Sequence, residues 1–278
     1  MNPPVAVLAH EDRNSLMEAY RLMEFPSLAA RLTNALGKPI ELGFQYLPAD
    51  WYETVHHLAH SAVEKALDNA LSTMDPDKQS RSRHYLYQVA GGACGAVGGF
   101  FGLPALMVEL PLSTVLMLRS IASIARQEGE RIDATDTRLA CLEVFALGGR
   151  SPSDDAVETG YYGVRLALTV PVVEALSFVQ AHGLRSEGAP ILVRLVATVA
   201  ERFGISLSER AAAQAIPLIG AAGGATINTI FMQHFQSMAK GHFTIRRLER
   251  KYTKELIEAE YRQLHTTVEG ARRYRRAA

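Results

Sequence analysis

Two long stretches of this chain carry almost no charge, and they constrain its fold more than any other feature. From Tyr85 to Leu118 the one charged side chain is Glu109, and from Ala211 to Ala239 there is no Asp, Glu, Lys or Arg. Segments this apolar must be covered, either by the rest of the protein or by lipid. Around them helix signals recur and strand signals are almost missing. The expected fold is therefore all-α: a compact multi-helix domain with two Gly-rich apolar helices or hairpins at its centre.

The glycines sharpen that expectation. Gly91, Gly92, Gly95, Gly98, Gly99 and Gly102 crowd into one short segment, although each Gly costs about 1 kcal/mol relative to Ala inside an exposed helix. Gly91, Gly95 and Gly99 lie four apart, a spacing that lets two helices approach backbone to backbone in apolar surroundings. The core Gly95-Ala96-Val97-Gly98-Gly99 is echoed by Gly220-Ala221-Ala222-Gly223-Gly224. Either a Gly- and Ala-rich chain repeats itself by chance, or the segments pack together as matching parts of two halves. Gly91, Gly95, Gly99, Gly220 and Gly224 are the candidate helix-packing positions.

Charge is split along the chain. The 278 residues hold 29 Lys+Arg and 29 Asp+Glu. From Lys240 onward, however, eleven Lys/Arg face five Glu, leaving a basic C-terminal part at +6 and an acidic remainder at −6. A pI near 7.1 argues against a dedicated nucleic-acid binder. Cys94 and Cys141 sit among apolar neighbours and read as buried thiols in a reducing compartment. No secretory leader is legible at the start, so the expected location is cytoplasmic.

Local signals place the helices. The first runs from about Arg13 to Glu24, and a second is capped by Ser27 and stopped by Gly37. Lys38 to Ala49 reads as a loop, and Asp50 with Glu53 opens a helix lasting to about Met74. Asp75 opens the next, with Pro76 in the favoured first position. Asp133 or Thr135 starts a helix ended by Gly148 and Gly149, with Leu139, Leu142, Phe145 and Ala146 on one face. Ser153 caps a long segment to His182, bent near Pro171, and Pro190 to Phe203 forms another helix. Ser206 with Glu209 three residues on marks a further start.

Few residues suggest chemistry. His56 and His60 share a helix face one turn after Glu53, which reads either as a polar face or as part of a metal site. Glu109, alone in its apolar run, calls for a cationic partner, and Arg119 is the natural one; unpaired, it is a proton-transfer candidate. The segment Gly148 to Asp155, with Glu158, Tyr161 and Tyr162 after it, gathers polar groups before an apolar helix. No nucleophile elbow, phosphate loop or dinucleotide fingerprint is present, and no cofactor is implied. Arg246, Arg247, Arg250, Lys251 and Lys254 follow the second apolar stretch directly. They read either as a site for anionic lipid or as a solvated helix face bridged to Glu249, Glu255 and Glu258.

The run Gly241-His242-Phe243-Thr244-Ile245-Arg246-Arg247-Leu248-Glu249-Arg250-Lys251-Tyr252, preceded by Ile216 to Gly220 and Gly223 to Asn228, resembles the bacterial EcsC family. So does Arg119-Ser120-Ile121-Ala122 to Gly129, followed by Glu143 to Arg150. The resemblance covers roughly residues 50–265, leaving an N-terminal helical extension over 1–49 and a basic tail over 266–278. The family is named after a protein encoded beside an ABC transporter, so the resemblance implies a membrane or transporter connection. It supplies no reaction and no catalytic residue.

The leading expectation is a cytoplasmic, membrane-associated helical protein, peripheral on the inner face of the membrane. Apolar hairpins and the basic stretch bearing Arg246, Arg247 and Arg250 would meet anionic lipid or a membrane partner such as a transporter. The rival is an enzyme of hydrolase type, or a small-molecule binder, with Glu109, Arg150, Asn228 and His242 converging between Gly-rich helices. A third reading is a protein–protein interaction module.

Overall fold

A computed structural model describes residues 8–25, 27–73, 103–149, 160–182, 190–216 and 220–277. Among them are ten helices and no strand: α1 (His10–Glu24), α2 (Leu28–Leu36), α3 (Glu41–Phe44), α4 (Trp51–Thr73), α5 (Leu103–Gln127), α6 (Thr135–Gly148), α7 (Gly160–His182), α8 (Pro190–Ala215), α9 (Gly220–Lys251) and α10 (Lys254–Ala277). The all-α expectation holds. Gly91, Gly95 and Gly99, with Cys94 and the helix expected after Asp75, lie outside the described residues, as does the Ser153 cap. The pairing of Gly95 with Gly223 lies outside them for the same reason. Gly220 opens α9, and Gly224 is buried one turn on.

The helices begin and end where side-chain chemistry allows. Ser27 accepts a hydrogen bond from the Ala30 N–H at 3.3 Å, and Gly37 terminates α2 in the left-handed region at φ 63°. The loop expected over Lys38–Ala49 contains the single turn α3, which rests on α8.

One expectation needs correction. Ser206 and Glu209 do not open a helix, because α8 runs unbroken from Pro190 to Ala215. Phe203, Leu207 and Ala211 are all buried along it, and continuing the helix keeps that face covered. The apolar face expected on α6 is buried, and the rest of the helix from Leu139 onward is buried with it. Every residue from Leu139 to Gly149 is buried. The helix is enclosed by α4, α5, α7, α8 and α9, with Cys141 inside it and its thiol pushed up by burial. Phe145 packs on Phe203 and Phe235 with ring centroids 5.2 and 5.6 Å apart, and Phe231 meets Phe235 at 5.1 Å.

Close backbone approach explains two glycines. A Cβ on Gly149 would stand 1.9 Å from the Arg202 carbonyl oxygen of α8, and one on Gly43 the same distance from that of Ala212. At Gly270 in α10 a Cβ would meet nothing within 4 Å. Gly149→Ala should therefore lower stability by roughly 2 kcal/mol or more, and Gly270→Ala should raise it by up to about 1 kcal/mol. Chemical denaturation of the two variants checks both signs.

Glu209 has a different task from the one its spacing suggests. It accepts a hydrogen bond from the Ala29 N–H in the first turn of α2 and shares a cavity of about 10 Å³, room for one water molecule, with Ser27, Gly148 and His234. Burial pushes its carboxyl up to about 7, with the Glu41 charge adding to the effect and the Ala29 bond opposing it. A raised carboxyl favours the protonated fold, so this group's contribution is full below the ordinary 4.5 and is lost as pH rises towards about 7. The loss amounts to at most about 3 kcal/mol. Glu209→Gln should remove that slope and stabilise the protein at pH 8, as read from denaturation midpoints across the window.

Candidate functional site

The charge split along the sequence is resolved at one place. The turn between α5 and α6 is Glu128-Gly129-Glu130, and the basic row of α9 lies across it. Lys240 Nζ and Arg247 Nε both donate to Glu128, the latter at 2.8 Å. Arg246 donates to Glu130 through Nε at 2.9 Å and Nη2 at 3.4 Å, and Arg250 Nη1 joins the same carboxylate. Arg250 Nη2 also reaches the Glu128 carbonyl at 2.7 Å. Both carboxylates are buried, at 6% and 5% side-chain exposure, whereas Lys240, Arg247 and Arg250 remain partly in water. Burial alone would push Glu128 and Glu130 up, but the hydrogen bonds and charges of their cations prevail and hold both below the usual carboxylate range.

Gly129 makes this turn possible. Its φ of 81° belongs to the left-handed region, and Arg250 Nη2 passes 3.7 Å from where a Cβ would stand. One turn beyond, Lys251 Nζ and the Tyr252 hydroxyl donate to Asp12 at 2.6 and 2.7 Å, tying the end of α9 to the start of α1.

The inner side of α9 carries a second, buried polar group. The Tyr161 hydroxyl is 3.0 Å from His242 Nδ1, and the Tyr161 N–H and Tyr261 hydroxyl donate to Glu24 at 3.4 and 2.8 Å. Arg165 makes a two-pronged pair with Glu249 at 2.6 and 3.2 Å, and the Tyr162 hydroxyl donates to the same carboxylate at 3.3 Å. Burial, with the charges of Arg165 and Arg246 nearby, holds His242 well below its ordinary value and therefore neutral. Its Nε2 is buried without a hydrogen-bond partner. Burial pushes Glu143, one helix away, up. Through His242, Tyr161, Tyr261 and Glu24 the group ties α9, α7, α10 and α1 to one another.

The residues singled out from the sequence are distributed as follows. Arg246, Arg247 and Arg250 come together, but on Glu128 and Glu130 rather than on the glutamates following them. Glu249 pairs with Arg165, and Glu258 with Arg262. Arg119 is exposed on α5, ten residues after Glu109 in the chain, about 15 Å of helix. Arg150 and the Glu109 side chain lie outside the described residues. Asn228 and His242 are both buried, yet fourteen residues apart on one helix they stand about 21 Å from each other and do not converge. His56 is exposed against the edge of Tyr52, and no group of three or more His, Cys, Asp or Glu among the described residues is placed to hold a metal ion.

The residues that sequence reasoning missed are Asp12, Glu24, Glu128, Glu130, Arg165 and Tyr261. For Glu128 and Glu130 a signal existed, since two carboxylates flank a glycine ten residues after the first uncharged stretch ends at Leu118.

The fold and the clasp define an all-helical protein in which the turn after the first apolar stretch grips the basic end of the second. The model of the EcsC protein family matches residues 22–248, and the chain belongs to that family. The match begins within α1 and ends at Leu248 in the basic row, so it takes in Glu128, Glu130, Lys240, Arg246 and Arg247, with Arg250 two residues beyond it. No curated protein and no solved structure matches the chain.

Glu130→Gln leaves Arg246 and Arg250 without their buried carboxylate and should cost roughly 2–3 kcal/mol, less than a fully buried pair because Arg250 reaches water. With lowered carboxyls, the contribution of the clasp is present above the ordinary range and disappears as pH falls below it. Acid unfolding of the variant should thus be shallower than that of the parent between pH 5 and pH 3, measured by far-ultraviolet circular dichroism.

Proposed function

We propose that the protein is a membrane-associated helical protein that meets the bilayer with the outward face of α7. The carrying observation is a stripe of exposed apolar side chains. Leu166, Val170 and Val173 are 75%, 60% and 55% exposed and share one face of α7, and Val193, 48% exposed, begins α8 beside them. The two helices are linked by an ion pair between Arg194 and Glu174 at 3.2 Å. The most apolar window of α7 has a mean hydropathy of 1.4 and is only 33% buried.

This helix lies along a membrane surface on the proposed reading and does not cross it. Its other face is occupied by Tyr161, Tyr162, Leu168, Pro171, Ala175 and Val179, all buried in the protein. Covering three exposed side chains yields about 4 kcal/mol, enough for reversible attachment. The cations of Arg246, Arg247 and Arg250, being paired, add less than an unpaired row would. The reading places the protein on the cytoplasmic face, and the family name makes an ABC transporter the first partner to look for.

Flotation with phosphatidylcholine vesicles tests the reading. The parent should float, and Leu166→Ser/Val170→Ser/Val173→Ser should lose about 90% of the floated fraction at unchanged melting temperature, since these side chains are exposed. A parent that stays at the bottom of the gradient defeats it. A parent that forms oligomers which the triple variant abolishes points instead to an interaction module.

A further inference from the structure

The clasp carries more positive charge than it neutralises. Glu128 receives both Lys240 and Arg247, and Glu130 receives both Arg246 and Arg250. On the Glu130 side Asp136 stands 3.7 Å from Arg246 and meets part of the excess. On the Glu128 side no other described carboxylate comes within ion-pair distance of Lys240 or Arg247, so one cation there has no paired carboxylate and is offset only at longer range, by Glu18 in the same notch and by Asp12.

That surplus faces a notch between α1 and α9. The notch has a volume of about 50 Å³ and is lined by Ser15, Glu18, Lys240, Thr244 and Arg247 together with the apolar Ala19 and Leu22. At about 10–15 Å³ per water, it has space for several waters or one tetrahedral anion. Arg247 uses only Nε on Glu128, which leaves both Nη groups as donors, and Lys240 uses one of its three protons. Thr244 adds a hydroxyl. Ser237 and Thr229 on the same helix return their hydroxyls to the carbonyl four residues back, whereas Thr244 makes no hydrogen bond to a described residue. Ser15 is not a donor, because its proton goes to the Glu11 carbonyl at 3.0 Å. The donors outnumber what a two-oxygen carboxylate accepts and match the three terminal oxygens of a phosphate monoester.

We infer that the notch between α1 and α9 binds a phosphate group, held by Lys240, Arg247 and Thr244 and tuned by the exposed carboxylate of Glu18 at its rim. The group could arrive as free phosphate or as the exposed headgroup of a lipid such as phosphatidic acid. Neither source depends on the apolar face of α7.

Calorimetric titration of the full chain with inorganic phosphate at low salt tests the inference. Saturable one-to-one binding with a midpoint of about 1 mM is expected. Lys240→Met should weaken it about tenfold and Thr244→Val about threefold. Glu18→Gln should tighten it about threefold, a gain that a folding defect cannot produce. Absence of saturable binding, or affinity unchanged across the three variants, overturns the inference. Vesicles of phosphatidylcholine with and without phosphatidic acid separate the sources. Extra flotation with phosphatidic acid, abolished by Lys240→Met, assigns a headgroup, and phosphate binding with no extra flotation assigns the free anion. Phosphate binding by a chain that never floats would keep the notch and remove the membrane reading; flotation without phosphate binding would do the reverse.

Discussion

The structure turns on two buried carboxylates. Glu128 and Glu130 occupy a turn whose backbone requires Gly129, and a carboxylate so placed is tolerable only if cations reach it from another part of the chain. The basic row of α9 supplies them, with Lys240, Arg246, Arg247 and Arg250 each directed at this turn. The contact fixes the register of α9 against α5 and α6, because sliding the helix by one residue would rotate the row away by about 100°. Once α9 is fixed, the side adjoining the basic row presents His242 and Glu249 to Tyr161, Tyr162 and Arg165, which sets where α7 docks.

The ends of the chain are bound into the same arrangement. Asp12 holds Lys251 and Tyr252, Glu24 holds Tyr261, and the Tyr20 ring meets that of Tyr261 at 5.1 Å. Helices α1 and α10 thus close over α9 from both termini. One side of α7 is taken up by the buried polar group, and Leu166, Val170 and Val173, about 100° further round the helix, stay in the open. The apolar surface behind the membrane proposal is therefore what remains after the polar side of α7 has been satisfied.

Much of the helical layout was legible in residues that act locally. Ser27 and Gly37 cap and terminate α2 by their own hydroxyl and backbone chemistry, so a few neighbours suffice to recognise them, whereas Gly148 and Gly149 mark a helix end where α9 and α8 come close. Local signals failed where burial outweighed them. The Ser206–Glu209 pattern is a good cap in an isolated peptide, but Phe203, Leu207 and Ala211 gain more by remaining on one continuous buried face. The apolar face assigned to α6 was correct as far as it went. What its sequence did not disclose was that neighbours enclose the other side as well, through Cys141, Val144 and Gly148.

The sequence by itself determined that the chain is helical, that its uncharged stretches must be covered, that it belongs with the EcsC proteins, and that positive charge gathers after Ala239. Those properties follow from composition, period and motif, all of which are local. Only the tertiary structure decided what that charge does. The partners of Arg246, Arg247 and Arg250 lie more than a hundred residues away at Glu128 and Glu130, and no helical spacing relates them. Ion pairing depends on distance in space, and at a few ångströms from a buried carboxylate the row that looked like a free basic surface becomes the clasp that holds the helices together.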